Sequence, residues 1–328
     1  MIIITILDEF AFINQIKPTV HHQPHLIKGI GDDAALYETS SNMEQIICMD
    51  TLVEDVHFSN KTMSAFQIGY KALAVNISDI AAMGGIPTFY LVSIAIPESW
   101  SEQDILAIYE GMASLAAVYK MDLIGGDTVS TKSSLMITVT VIGQTEKQKH
   151  LLRSSAKPGD ILFVTGTLGD SAAGLELLLS QGKEHPFSSD EAFLVNRHQL
   201  PQPRVDIGRE LIDLERVALN DISDGIASEA NEIAEASQVS MVIEAESIPI
   251  SKQLLAYKGE VSLELALFGG EDFELIGTMT EAEWMQCNDS RLTKIGTVIE
   301  STTNPKVFIN QNGEMTTLEK KGYNHFKK

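Results

Sequence analysis

Aspartates recur beside glycines along this sequence, and a short carboxylate next to a glycine is a suitable ligand for a hard cation. Glycine lets the backbone approach a ligand closely, and Mg²⁺ is commonly shared between a few carboxylates and the phosphates of a substrate. Several such carboxylates suggest more than one metal ion, as in phosphoryl transfer. The segments with this pattern are Gly29–Ala35, Met49–Thr51, Ile77–Asp79, Gly125–Thr128, Asp221–Gly225 and Gly269–Asp272.

Each segment taken alone also has an ordinary structural interpretation. Aspartate and glycine punctuate turns and cap helices, and Asp224-Gly225 is a common signal of that kind. The ligand interpretation is favoured for the set because the glycines flank carboxylates and not mixed turn residues. Asp221–Gly225 is not an EF-hand loop, since the alternating ligands and the terminal glutamate of that motif are absent.

Asp79 differs from the others because it lies inside a predicted helix, which begins at Ser64 and ends near Met83. Asn76, three residues earlier, shares its face. The surrounding residues are mostly apolar, which predicts a buried helix, and a buried aspartate must be paired or bind a metal. The alternative is a solvated polar face on which Asp79 pairs with Lys71.

The elements that must position these residues alternate between strands and helices. A second helix is predicted from Ser101 to about Tyr119, with Asp104 completing a capping box, and later helices begin near Asp170, Pro203 and Asp224. The polar stretch 144–150 predicts a domain boundary, with domains at 1–148 and 149–328. Segments rich in β-branched and aromatic residues predict strands at 46–51, 89–96, 135–143, 161–165, 241–245 and 273–279.

Composition excludes several classes of protein. The length of 328 residues suggests about two domains, and 44% hydrophobic residues are sufficient for folded cores. The 24 basic and 45 acidic side chains give a formal net charge of −21, which argues against a nucleic-acid binder and against an anionic membrane surface as partner. A bound phosphate compound would need divalent cations to offset these carboxylates.

The sequence also predicts where the protein resides. No apolar run reaches the roughly 18 residues of a membrane span, and the apolar start, residues 1–7, lacks the basic region of a signal peptide. Cys48 and Cys287 are far apart and have no metal or redox spacing, which fits a reducing cytoplasm.

Two further features concern anions. Thr165–Ser171 follows a predicted strand and opens a helix, so this glycine-rich loop either cradles an anion or makes a tight turn. Arg153 either meets a phosphate or is an ordinary surface arginine.

The sequence contains no Walker P-loop, protein-kinase catalytic loop, G-x-S-x-G or H-E-x-x-H motif. A kinase of this sequence would therefore bind nucleotide through metal-bridging aspartates.

The ordered motifs resemble thiamine-monophosphate kinases, within the wider aminoimidazole-ribonucleotide synthetase-like superfamily. The resemblance spans Gly29 to Phe326, and the VHF and KGYxHF elements are the most specific. The matching segments read GIGDDAAL, MDTLVEDVHF, GYKALAVNISDIAAMGG, LIGGDTV, RSSAKPGD, VTGTLGDSAAGL, NDISDG, FGGEDFEL and KGYNHF.

The resemblance implies ATP-dependent phosphorylation of thiamine monophosphate to thiamine diphosphate, with several Mg²⁺ ions. It implies an α+β fold of two domains, each a mixed β-sheet with packed helices. The N-terminal domain would bind nucleotide and metal and form a homodimer, and the C-terminal domain would complete the site. The implied Mg²⁺ ligands are Asp33, Asp50, Asp79, Asp127, Asp221 and Asp224.

The same resemblance assigns the remaining site residues. Gly126, Asp127, Arg153 and Ser223 would contact the nucleotide, and His57, Glu271 and Tyr323 would contact thiamine monophosphate. An aromatic face suits the cationic thiazolium ring, although a lone histidine or a C-terminal aromatic residue is often only structural. The expected catalytic apparatus is Asp33, Asp79, Asp127 and Asp221, with Arg153 stabilising charge on the transferred phosphoryl group.

Three positions depart from the family pattern. Met49 replaces a common hydroxyl residue, so a side-chain metal contact there is not expected; Asp55 replaces a frequent glycine, and Asn324 a frequent aspartate.

Two other functions remain open. One is another ATP-using member of the superfamily, such as selenophosphate or aminoimidazole-ribonucleotide synthetase. Selenophosphate synthetase would want a reactive cysteine in a glycine-rich loop, whereas Cys48 lies in a strand pattern. The other is a module that binds Mg–nucleotide as a sensor without turnover.

Overall fold

Two mixed β-sheets with helices packed on them make up most of the chain. The computed structural model of the protein describes residues 9–31, 34–287 and 289–321. The chain divides into two units. Unit 1 contains the residues up to 80 and 85–148, and unit 2 contains residues 81–84 and those from 149 onward.

Unit 1 is built on a four-stranded sheet in the order β3-β6-β4-β5, in which only β4 and β5 are parallel. A separate hairpin pairs β1 with β2. The elements in chain order are α1 (Glu9–Ile16), β1 (Leu26–Lys28), β2 (Leu36–Tyr37), β3 (Met43–Val53), α2 (Ala65–Ala82), β4 (Ile86–Pro97), α3 (Glu102–Tyr119), β5 (Asp122–Thr131) and β6 (Met136–Glu146).

The two long helices of unit 1 have the ends that the sequence predicts. Ser64 and Gln67 form a reciprocal cap before α2, with the Gln67 amide donating to Ser64 Oγ at 3.3 Å and Gln67 Oε1 accepting from the Ser64 amide at 2.8 Å. Ser101 and Asp104 form the predicted capping box of α3. Gly84, two residues after the end of α2, adopts a left-handed φ of 67°, a conformation common just after helix ends.

The sheet of unit 1 has two different faces. Residues that pair across strands share a face, so one row runs through Asp50, Val139 and Val92. The two valines are buried, and Cys48, on the same face of β3, donates its Sγ–H to the Asn76 carbonyl of α2 at 3.2 Å. We call this helix-covered side the inner face.

The opposite side, the outer face, is only partly covered. Its central row runs through Thr51, Thr138, Ser93 and Asp127, and the two threonine hydroxyls are 2.8 Å apart. The hairpin covers one end of this face, where Leu26, Ala35 and Tyr37 pack with Phe89, Ile142 and Leu91. Exposed apolar side chains remain on the rest of it, namely Ile47, Met49, Val129 and Met136.

Unit 2 is built on a seven-stranded sheet in the order β13-β12-β9-β11-β7-β10-β8, in which only β12 and β9 are parallel. Its strands are β7 (Ile161–Thr165), β8 (Val217–Asp221), β9 (Ser240–Glu244), β10 (Leu275–Met279), β11 (Leu292–Ile299), β12 (Val307–Gln311) and β13 (Glu314–Thr317). Its helices are α4 (Asp170–Gln181), α5 (Ser189–Gln199), α6 (Val205–Leu211), α7 (Ile226–Ser237), α8 (Lys252–Lys258), α9 (Ser262–Phe268) and α10 (Glu281–Cys287).

The core of unit 2 lies mainly between α7 and the sheet. Ile226, Ala230 and Ile233 of that helix pack with buried strand residues such as Val164 and Met241. A smaller cluster joins α4, α5 and α8. Among the described residues, no helix is long and apolar enough to cross a membrane.

Candidate functional site

Asp50 and His57 of unit 1 interact electrostatically. Asp50 lies on the inner face of β3, and burial raises the pKa of its carboxyl group, while the nearby His57 lowers it. The turn after β3 fixes the imidazole, because the Val53 amide donates to His57 Nδ1 at 3.0 Å. In the neutral ring the proton therefore lies on Nε2, which can donate to a ligand.

The turn that holds His57 also explains one departure from the family pattern. Asp55 has a left-handed φ of 62°, and its amide donates to the Phe58 carbonyl at 2.8 Å. Glycine adopts this conformation without cost, and aspartate is among the few other residues that tolerate it. The structure therefore accommodates Asp55 in a turn that favours glycine.

The predicted helix around Asp79 is present as α2, but its polar side chains are not a solvated face. Lys71 is 1% exposed and Asn76 is 0% exposed, whereas Asp79 is partly buried. The Asn76 side-chain amide donates to the Ala72 carbonyl at 3.1 Å. The solvated-face alternative is therefore wrong, and the polar groups of α2 belong to the interior of unit 1.

Gly126 and Asp127 lie within β5 and not in a turn, the ordinary structural interpretation of such a segment. Gly126 has a φ of 156°, and a Cβ at this position would lie 1.9 Å from the Val92 carbonyl oxygen on β4. Glycine is therefore required for the pairing of the two strands. Asp127 follows directly and is exposed on the outer face.

Asp50 and Asp127, both predicted metal ligands, lie on opposite faces of the sheet and on its two edge strands. Two strands separate β3 from β5, so at ~4.8 Å per strand the two backbones are about 14 Å apart. Mg²⁺ binds oxygen at about 2.1 Å. One ion cannot contact both carboxylates of the same chain.

In unit 2, the Asp221–Gly225 and Gly269–Asp272 segments lie side by side. The Glu271 amide donates to the Ser223 carbonyl at 2.6 Å, and the Phe273 amide donates to the Ile222 carbonyl at 2.9 Å. A Cβ at Gly270 would lie 2.7 Å from the Ser223 carbonyl oxygen. Glycine permits a close approach of backbone here, as predicted, but the group that approaches is the other motif and not a ligand.

Arg153 lies beside the first of these segments. Its Nε donates to Asn220 Oδ1 at 2.8 Å, and its Nη1 is 2.7 Å from Glu232 Oε2. The side chain is about half exposed, at 49%. Within the described part of the chain its Nη2 has no hydrogen-bond partner, so Arg153 is oriented by two neighbours and keeps one donor nitrogen for an anion.

Glu229 is the main buried acid near the Asp221–Gly225 segment. It is 2% exposed, and burial raises its pKa to about 8, with a further increase from the negative charges of Asp221, Glu232 and Asp224. Asn220 Nδ2 donates to Glu229 Oε2 at 2.5 Å. Sequence reasoning missed Asn220 and Glu229. The signals were an amide directly before Asp221 and a glutamate in the first turn of the helix that follows Gly225.

Glu271 has an unusual backbone conformation. It has a left-handed φ of 67°, and Phe273 has one of 50°, which is uncommon for residues of this size and clusters at functional sites. Glu271 Oε2 is 3.4 Å from Nδ1 of the buried His198. The structure thus holds this predicted substrate residue in a defined, strained turn.

The glycine-rich loop before α4 does bind an anion, but the anion belongs to the protein. The amides of Gly169 and Ser171 donate to the two carboxylate oxygens of Asp272, at 2.6 and 3.1 Å. Asp272 is 1% exposed, and burial raises its pKa to about 7 despite the opposing Arg197 charge and these hydrogen bonds. We therefore assign Asp272 a structural role.

Unit 2 also contains a polar cavity that the sequence did not predict. It has a volume of about 490 Å³ and is lined by Arg197, Arg204, Glu274 and Thr167, among others. Both arginines bind Glu274: Arg197 Nη2 lies 2.7 Å from Oε1, and Arg204 Nε lies 2.7 Å from Oε2. The two guanidinium groups thus share one fully buried carboxylate.

Asp33 and Tyr323 lie outside the described residues. Within the described residues, no group of three or more His, Cys, Asp or Glu side chains is arranged to hold a metal ion. A cation would therefore take a few carboxylates from this chain and its other ligands from nucleotide and water, as Mg²⁺ commonly does.

Comparison with known proteins decides the family. Residues 31–145 match the family model for the N-terminal domain of AIR synthase related protein, and residues 157–303 match that for its C-terminal domain. Over 327 residues the chain is 54% identical to thiamine-monophosphate kinase from Bacillus subtilis strain 168, covering 98% of this chain and 100% of that one. The chain belongs to the thiamine-monophosphate kinase family.

Solved structures of similar proteins support the same family assignment. A thiamine-monophosphate kinase from Stenotrophomonas maltophilia K279a is 35% identical, with a TM-score of 0.83 over 94% of this chain and 98% of that one. An AaThiL structure complexed with AMPPCP and TMP, also 35% identical, has a TM-score of 0.78 over 98% of this chain and 97% of that one. A hydrogenase maturation protein HypE, 17% identical with a TM-score of 0.76, shares the fold alone. The predicted family, fold class and enzyme class are confirmed.

Proposed function

We propose that this thiamine-monophosphate kinase catalyses direct, in-line, Mg-assisted transfer of the γ-phosphoryl group of ATP to thiamine monophosphate. A phosphate oxygen of the acceptor attacks the γ-phosphorus, the bond to the ADP oxygen breaks, and thiamine diphosphate and ADP form. The observation that carries the proposal is the near full-length similarity to kinases of this name, combined with the order of the aspartate motifs.

The acceptor needs no strong general base. An oxygen of a phosphate monoester is already ionised near neutral pH and is therefore already a nucleophile. The protein must bring two polyanions together in line and offset their charge. We therefore assign no catalytic base, and we place Asp33, Asp79, Asp127 and Asp221 in the charge-offsetting apparatus together with Arg153.

The proposed carboxylate ligands bring negative charge together at places where Mg²⁺ ions would offset it. Burial destabilises the charge of Asp50. Burial, with the Asp221, Glu232 and Asp224 charges, raises the pKa of Glu229, so a cation would stabilise negative charge at both places. Bound Mg²⁺ would neutralise the developing charge on the phosphoryl oxygens. The proposed ligands remain Asp33, Asp50, Asp79, Asp127, Asp221 and Asp224.

The nucleotide contacts that we propose are Gly126, Asp127, Arg153 and Ser223. The geometry of Arg153 fits this role best, since Asn220 and Glu232 fix its orientation and no described residue forms a hydrogen bond with its Nη2. Gly126 presents backbone without a side chain at an exposed strand position.

His57, Glu271 and Tyr323 are the proposed contacts of thiamine monophosphate. The fixed His57 ring offers Nε2–H as a donor, because Nδ1 accepts from the Val53 amide. Glu271 offers a carboxylate from a strained turn, which complements a cationic thiazolium ring. We expect Tyr323→Ala to raise the KM for thiamine monophosphate more than that for ATP.

We further propose a homodimer that forms through the N-terminal domain, residues 1–148. The outer face of its sheet carries the exposed side chains of Ile47, Met49, Val129 and Met136, an apolar surface that a second copy would bury. The C-terminal domain, 149–328, would complete the active site. Cys48 and Cys287 form no disulfide within the described residues, which fits the cytoplasmic location that we propose.

The test is an acceptor comparison with Mg²⁺ and ATP, in which thiamine monophosphate, free thiamine and aminoimidazole precursors are supplied in turn. The proposal predicts ADP formation only with thiamine monophosphate. ADP formation with an aminoimidazole precursor would indicate another member of the superfamily. Tight Mg–ATP binding with no turnover on any acceptor would indicate a nucleotide sensor.

A further inference from the structure

Arg153 is linked to the Ser223-Asp224 turn by a continuous chain of hydrogen bonds. Asn220 Oδ1 accepts from Arg153 Nε at 2.8 Å, and Asn220 Nδ2 donates to Glu229 Oε2 at 2.5 Å. The other Glu229 oxygen accepts from the Asp224 amide at 3.2 Å and from Ser223 Oγ at 3.4 Å. Glu229 therefore contacts, directly or through one amide, three residues that the proposed function places in the site.

The neighbouring groups determine which atom donates and which accepts in each of these hydrogen bonds. Asn220 and Glu229 are 1% and 2% exposed, so water does not readily replace a lost partner. The Asn220 oxygen must face Arg153, which only donates, and its NH₂ group must therefore face Glu229. The two Glu229 oxygens in turn accept from three described donors: the Asn220 amide, the Asp224 amide and the Ser223 hydroxyl.

We infer that Glu229 is a positioning residue for nucleotide binding: through Asn220 it orients the Arg153 guanidinium, and directly it holds the Ser223-Asp224 turn. The inference rests on the proposed function, because that proposal assigns Arg153, Ser223 and Asp224 to the site. A merely space-filling Glu229 would tolerate an amide of the same shape, whereas the positioning role would not.

Glutamine at position 229 cannot accept a hydrogen bond from both the Asn220 side-chain amide and the Asp224 backbone amide. If the glutamine oxygen accepts from the Asp224 amide, the glutamine NH₂ group faces the NH₂ group of Asn220, and two donors meet. Rotating the Asn220 amide by half a turn would remove this conflict but would turn the Asn220 NH₂ group toward Arg153, which is also a donor. Exchanging the two functional groups removes the conflict. With aspartate at 220 and glutamine at 229, Arg153 donates to the aspartate, the glutamine NH₂ donates to the other aspartate oxygen, and the glutamine oxygen accepts from Asp224.

The experiment compares Glu229→Gln, Asn220→Asp and the double variant with the wild-type chain. Calorimetry with Mg–AMPPCP gives the Kd without turnover, and steady-state kinetics give KM for ATP and for thiamine monophosphate. We expect each single variant to weaken Mg–AMPPCP binding about tenfold and to raise the KM for ATP in parallel, with less than about a twofold change for thiamine monophosphate. The double variant should return to within about threefold of wild type.

Glu235→Gln is the matched control, because it makes the same carboxyl-to-amide change at an exposed position of α7, where the carboxylate lies 3.7 Å from Lys320 Nζ. It should leave both binding and kinetics unchanged. Single variants that bind as wild type, or a double variant whose losses add, would overturn the inference. If a single variant does not fold, the double variant alone decides, since it must fold and bind nucleotide as wild type does. Wild-type nucleotide binding without thiamine diphosphate formation would overturn the proposed function and leave this comparison intact.

Discussion

At the scale of single residues, Gly126 has no side chain, and this lets β5, which carries predicted site residues, pair closely with β4. We expect Gly126→Ala to destabilise the protein by at least about 2 kcal/mol, because a Cβ would lie 1.9 Å from the Val92 carbonyl oxygen. Gly125→Ala is the matched control, since a Cβ there meets only a leucine methyl group at 3.4 Å, and should cost less than about 1 kcal/mol. Urea unfolding measures both, and equal losses would contradict this explanation.

Asp272 gives a residue-scale prediction for pH. Burial raises its pKa from 3.8 to about 7, so between these values the folded chain holds a proton that the unfolded chain has released. Stability from this group is therefore fully present at low pH and is lost as the pH rises toward 7. The wild type should lose stability relative to Asp272→Asn over this window, by about 1.4 kcal/mol per pH unit at most, with no further relative loss above it.

Urea unfolding of both proteins at several pH values between about 5.5 and 8 measures this difference. Asp213→Asn, a change at a largely exposed carboxyl group, is the control and should differ from wild type by a constant amount. A wild type that gains stability relative to Asp272→Asn as the pH rises would contradict the raised pKa.

At the scale of elements, sequence patterns predicted those whose signals are local. Helices α2 and α3 have strong caps at Ser64 and Ser101, and the strand predicted at 161–165 is β7. Strand β5 was not predicted, because Gly125-Gly126-Asp127 has the composition of a turn. Its strand conformation depends on pairing with β4, whose partner residues lie 33 or 34 positions earlier in the sequence, and no local pattern encodes that contact.

Glu274 supplies an element-scale prediction because it joins three parts of unit 2. Its carboxylate accepts from Thr165 Oγ1 at the end of β7 at 2.6 Å, and it binds Arg197 of α5 and Arg204 before α6. We expect Glu274→Ala to cost about 3–5 kcal/mol, because two partly buried guanidinium groups lose their ion pair with this carboxylate. Asp206→Asn, which removes a surface pair with Arg291, should cost less than about 1 kcal/mol. Thermal unfolding compares the two, and a small effect of Glu274→Ala would contradict this role.

At the scale of the whole molecule, the residue types of the candidate site were predictable and their arrangement was not. The Asp221–Gly225 and Gly269–Asp272 motifs, both of which contain predicted site residues, do lie together. That Asp50 and Asp127 lie on opposite faces follows from strand order and register, which depend on long-range pairing. Asp272 was missed as a structural acid because its partners, the amides of Gly169 and Ser171, are about 100 residues away.

The opposite placement of Asp50 and Asp127 leads to a test of the proposed homodimer. If one ion is to contact both carboxylates, one of them must come from a second copy of the chain. Asp50→Asn and Asp127→Asn should then each be inactive alone, but mixing them with subunit exchange should restore about a quarter of the wild-type activity. Half of the dimers would be mixed, and each would have one intact site of two. No recovery in verified mixed dimers would show that no site is shared in this way.

The central claim is that the chain moves the γ-phosphoryl group of ATP directly onto thiamine monophosphate. A single-turnover reaction with γ-labelled ATP, thiamine monophosphate and Mg²⁺ tests it most directly, with separation of the labelled products. The account predicts the label in the terminal phosphate of thiamine diphosphate, with one ADP for each diphosphate formed. Label recovered as free inorganic phosphate, or AMP in place of ADP, would contradict direct transfer.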